Sequence, residues 1–144
     1  MSVIVTFFRA PGHAAATAAA RGPGSFVEAL EYGNFDADEA LTGWEALLTG
    51  RGFDEVLAEE RPEDELPPDG GDGPLLLALS PALQARLATA APTLLAATAA
   101  RWVRELADDG VDFDPESATE ILTSLARLAR SATAAADRLY CLST

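Results

Sequence analysis

Apolar residues in this 144-residue chain form short continuous runs near its two ends and at 75–79, with helically spaced stripes between them. Residues 3–8 read Val-Ile-Val-Thr-Phe-Phe, a β-branched and aromatic run that predicts a strand buried on both faces. Pro11-Gly12 ends it. Residues 13–21 are alanine-rich and predict a short helix, stopped by Gly22-Pro23-Gly24. Ser25 then predicts the cap of another short helix containing Phe26, Val27 and Leu30. Glu28 stands at its capping-box position and Gly33-Asn34 stops it.

The next helix starts at Asp36, a cap residue with Glu39 three positions on. Leu41, Trp44 and Leu48 fall on one face of it, Leu47 widens that face, and Gly50 closes it. Residues 75–79 are wholly apolar and predict a central strand. Ser80-Pro81 is a cap followed by a first-turn proline, and Leu83 and Leu87 extend that helix toward Pro92. A helix from Thr93 carries Leu95, Ala99, Trp102 and Leu106 on one face and ends at Gly110. Asp114-Pro115 repeats the cap-and-proline signature. A stripe of Ile121, Leu125, Leu128, Ala132 and Leu139 follows, with Thr123, Arg127, Arg130 and Asp137 away from it. The end of 139–142 predicts a closing strand. These elements predict an α+β fold: a helix-rich single domain over 1–144 with a small sheet of two to four short strands.

Composition adds three constraints. One cysteine, Cys141, excludes an internal disulfide and fits a reducing compartment. The start of the chain has neither a basic segment nor an apolar stretch of signal-peptide length, and no window approaches a membrane span, so a cytoplasmic location is expected. The ten basic residues are all arginine and thirty residues are alanine, the signature of a GC-rich coding bias.

The net charge is −13, and nine of the 23 acids lie in 54–72 beside one base, Arg61. Such a balance disfavours nucleic acid and anionic membranes as partners. Within that stretch, the acids, prolines and glycines of 59–73 cannot bury enough apolar area to offset chain entropy, so a mobile acidic loop is expected there.

Three segments carry a resemblance. They are Trp44-Glu45-Ala46-Leu47-Leu48-Thr49-Gly50, the run into Leu79-Ser80-Pro81, and the alanine-rich last helix leading to a short terminal strand. Together they resemble the YfbM-like family of bacterial proteins, a domain of unknown function (1877). The resemblance implies an α+β fold and assigns no activity. The histidine often found after the family's alanine-leucine is absent, since Leu48 follows Ala46-Leu47 here.

No catalytic, metal or cofactor set is expected. His13 is the sole histidine and Cys141 lies in an apolar run, where a thiol ordinarily packs. Asp108, Asp109, Asp112, Asp114 and Glu116 lack calcium-loop spacing and read as a solvated turn with a cap. Arg21-Gly22-Pro23-Gly24-Ser25 lacks the phosphate-loop pattern and reads as a turn. Trp44 and Trp102 read first as packing. A pocket, if formed, is expected beside them with Tyr32 and Arg101 as its polar residues. The function that follows is a non-enzymatic binding or interaction module, in its narrower form an immunity or inhibitor protein, meeting a protein partner through the acidic stretch 54–72. The alternative is a small-ligand sensor or enzyme with a pocket between helices.

Overall fold

Two adjacent phenylalanines set the plan of the fold. Phe7 and Phe8 are neighbours in a strand, so their side chains leave on opposite faces, and both are fully buried. The sheet is therefore covered on both sides. The computed structural model describes residues 4–22, 27–33, 35–59, 66 and 75–144. The elements run β1 (Ile4–Ala10), α1 (His13–Arg21), β2 (Val27–Gly33), α2 (Ala37–Thr49), α3 (Phe53–Ala58), β3 (Leu75–Ala78), α4 (Pro81–Thr89), α5 (Pro92–Asp108), α6 (Pro115–Ala134) and β4 (Arg138–Ser143). The strands form one sheet in the order β2-β1-β4-β3, with every neighbouring pair antiparallel.

One face carries Val5, Phe7, Leu77, Leu139 and Cys141 into the main core, where α2, α4, α5 and α6 pack. The other carries Phe8, Ala10, Leu76, Ala78, Tyr140 and Leu142, covered by Ala16 and its neighbours on α1 and by Leu66. The predicted helix-rich α+β class is the one observed.

The predicted caps also form. The Asp36, Ser80 and Asp114 side chains accept from the backbone N–H of Glu39, Leu83 and Ser117 at 3.1, 3.0 and 3.1 Å. Gly50 and Gly110 end α2 and α5 in the left-handed region, at φ 71° and 83°.

Other expectations are corrected. Residues 27–33 are strand, not helix: Tyr32, Glu31 and Leu30 align with Val5, Thr6 and Phe7, and pairing along β1 outweighs the local cap signal. Ser25 and Phe26 lie outside the described residues. The 75–79 run gives the edge strand β3 rather than a central one. The centre is held by β1 and β4, the two strands farthest apart in sequence. Leu66 N–H donates to the outer carbonyl of Leu76 at 2.7 Å.

Leu139 belongs to β4 and not to the last helical stripe, because α6 stops at Ala134. Asp137 likewise follows the helix. The first residue of α5 is Pro92, after an Ala91 cap that makes no side-chain bond, rather than Thr93. The short α3, which buries Val56, had no predicted counterpart. The stretch expected as a loop, 59–73, lies outside the described residues except at Glu59 and Leu66.

Candidate functional site

The helical stripes bring Trp44 of α2 and Trp102 of α5 into edge contact, with ring centroids 5.1 Å apart. Phe35 lies 5.9 Å from Trp44 and 5.6 Å from Trp102, and Phe113 lies 5.0 Å from Trp102. Tyr32, on β2, joins through Phe7, whose ring is 6.2 Å from both Tyr32 and Trp44. Three of the four expected pocket residues thus meet in one aromatic cluster, and that cluster is packed: Trp44 is fully buried and Trp102 nearly so. The Trp44 indole N–H finds no acceptor among the described residues. Arg101 is not part of the cluster. It precedes Trp102 by one residue, about 100° around the helix, and stands exposed with Nε 3.9 Å from Glu105 Oε1.

The sheet separates His13 from Cys141. Cys141 points into the main core, where burial pushes its thiol pKa far up and keeps it protonated. His13 lies on the opposite face, where its Nδ1 shares a 2.9 Å hydrogen bond with the hydroxyl of buried Tyr140. Tyr140 and Cys141 are consecutive in β4, so alternation fixes the separation and no thiol–imidazole pair forms.

Among the described residues, no group of three or more His, Cys, Asp or Glu side chains is placed to hold a metal. Asp114 acts as the α6 cap. The Ser117 hydroxyl and N–H hold its carboxyl below the usual range. The Arg21–Ser25 stretch precedes a strand, so no helix N-terminus follows it.

A cleft of about 450 Å³ opens elsewhere, between Pro11, the α4 stripe of Pro81, Gln84, Ala85, Ala88 and Thr89, and the α6–β4 turn at Thr133, Ala136, Asp137 and Arg138. Its size is within the range of small-ligand sites. Gln84 forms its inner wall and is fully engaged. Its amide N–H₂ donates to the Asp137 carbonyl at 3.1 Å, and its oxygen accepts from Leu139 N–H at 3.0 Å. Arg138 Nε donates to the Leu79 carbonyl at 3.0 Å.

Behind the cleft, Arg9 bridges Asp137 to Glu28, which lies 3.0 Å away. Glu28 sits at φ 52° where β2 takes one extra residue opposite β1, and this bulge turns its carboxylate toward Arg9. Sequence reading missed this group, because Arg9 and Asp137 are 128 residues apart and neither carries a local motif.

The described part of the acidic stretch is α3 and its end. Asp54, Glu55 and Glu59 are exposed there, and Arg51 reaches Glu59 at 2.6 Å and Glu55 at 3.7 Å. The same helix leaves Phe53 41% and Leu57 46% exposed. No helix among the described residues is long and apolar enough to cross a membrane. No family model matches the chain, and neither does any curated protein or solved structure.

Proposed function

We propose that the protein is a non-enzymatic interaction module that holds a basic protein partner through the acidic stretch 54–72. The observation that carries this reading is the exposure of Asp54 and Glu55 on α3 and of Glu59 at its end, in a chain of net charge −13. Clustered exposed charge raises association rates with an oppositely charged surface and suppresses like-charged partners. An immunity or inhibitor role, masking a basic toxin or enzyme, is the narrower form of the proposal. Membership of the YfbM-like family remains a proposal on sequence likeness, and it adds no activity.

Mass spectrometry of proteins co-purifying with the tagged chain tests the reading. The same chain with Glu59, Glu60, Glu63, Asp64 and Glu65 changed to their amides is the control. A basic partner retained by the native chain and lost from the amide variant is expected. Equal retention by both would remove the electrostatic reading.

The cleft beside Gln84 and Asp137 supports a second reading, a small-ligand sensor. Its test is a thermal-shift screen repeated on Ala88→Trp, which fills the groove. A ligand whose stabilisation survives that substitution binds elsewhere.

A further inference from the structure

Helix α3 is the one element among the described residues that exposes two large apolar side chains, and exposed acids stand beside them. Phe53 and Leu57 are four residues apart, so they stand side by side, while Val56 between them turns inward and anchors the helix. Exposed apolar residues scattered singly need no explanation, whereas Phe53 and Leu57 on one helical turn form a local apolar patch. Among the described residues the helix carries Asp54 and Glu55, Glu59 follows at its end, and Arg51 pairs with Glu55 and Glu59. The Glu55 and Glu59 side chains are 67% and 63% accessible and that of Arg51 31%, so these pairs are largely solvated on the acid side and contribute little to stability.

From this charge complementarity we infer that the α3 face receives a basic, amphipathic segment of a partner protein. The segment's apolar side chains would cover Phe53 and Leu57 while its arginines or lysines meet Glu55, Glu59 and Asp54. This inference rests on the interaction reading above and adds the apolar half of the recognition. An acidic surface alone selects charge. The Phe53–Leu57 pair selects among basic partners those that present large apolar side chains.

The full chain is titrated by fluorescence anisotropy with three labelled peptides of equal length: lysine with leucine at helical spacing, the same peptide with serine for leucine, and the leucine peptide with glutamine for lysine. The lysine–leucine peptide is expected to bind about tenfold more tightly than either of the others, a gap of about 1.4 kcal/mol. In Phe53→Ser/Leu57→Ser that advantage over the lysine–serine peptide disappears. Both sites are exposed, and an unchanged circular dichroism spectrum verifies that this variant folds. Equal affinity for the lysine–leucine and lysine–serine peptides would overturn the inference and leave charge capture standing. Equal affinity for the lysine–leucine and glutamine–leucine peptides would overturn its charged half. An advantage that survives the double serine variant would remove it from α3. Binding of none of the three would remove the interaction reading beneath it.

Discussion

Ala136 has φ 57° at the end of α6, the position that Gly50 and Gly110 occupy after α2 and α5. The hydrogen bonds explain why the conformation is kept. Asp137 N–H reaches back to the Ala132 carbonyl at 2.7 Å and Ala136 N–H to Thr133 at 3.2 Å, the pattern by which a left-handed residue closes a helix. Val111 to Leu106 and Gly110 to Ala107 repeat it after α5. Alanine pays steric strain there that glycine does not. Ala136→Gly is therefore expected to stabilise the fold by about 0.5–1 kcal/mol, the strain relieved less the added freedom of the unfolded chain. A urea midpoint that rises at constant slope verifies this, and no rise would show that the turn is unstrained. Glu28→Gly relieves a similar φ but removes a partner of Arg9, so its gain should be smaller. Cys141 gives a second residue-level test. Buried and held protonated well above neutral pH, it should react with a thiol reagent only as the chain unfolds. Rapid labelling in native buffer would contradict the burial.

At the scale of elements, α6 is the central strut: it packs on α4, α5 and three of the four strands. Leu125 lies fully buried at its middle. Leu125→Ala should cost about 2–5 kcal/mol in denaturant unfolding, and a loss below about 0.5 kcal/mol would place the stripe at the surface. This helix was legible because its cap, its proline and its apolar period all agree. Its end was not, since an alanine stands where glycine would have marked the stop, and the stripe was carried on to Leu139. Strand β2 was illegible for a different reason. Its local signals favour a capped helix, and only the partner strand, some 25 residues away, decides the outcome. The expected site divides the same way. Helical spacing places Trp44 and Trp102 on apolar faces that meet, whereas Arg101, one residue from Trp102, is turned away by the helix. The cleft was invisible because Pro11, Gln84 and Asp137 come from three distant parts of the chain.

For the whole molecule, 23 acids against ten bases leave a charge of −13 whose self-repulsion opposes the compact state. That repulsion reaches about 30 Å at 0.01 M salt and about 8 Å at 0.15 M. Thermal stability at neutral pH should therefore rise with sodium chloride over this range, by a few degrees if the repulsion is worth about 1 kcal/mol. The association proposed above depends on the same charges with the opposite sign, so salt should slow capture of a basic partner while it stabilises the free protein. The five-amide variant separates the two effects from the rest of the surface. Removing charge from one dense stretch should flatten both dependences together, raising the low-salt melting temperature and lowering the low-salt association rate. Exposed ion pairs such as Arg51–Glu55 work the other way, since salt weakens them, but each contributes little. The measurement is a melting series and an association-rate series across the same salt concentrations. A melting temperature that falls as salt rises would mean that attractive pairs outweigh the net repulsion, and the acidic stretch would then be a part of the fold's own ionic network.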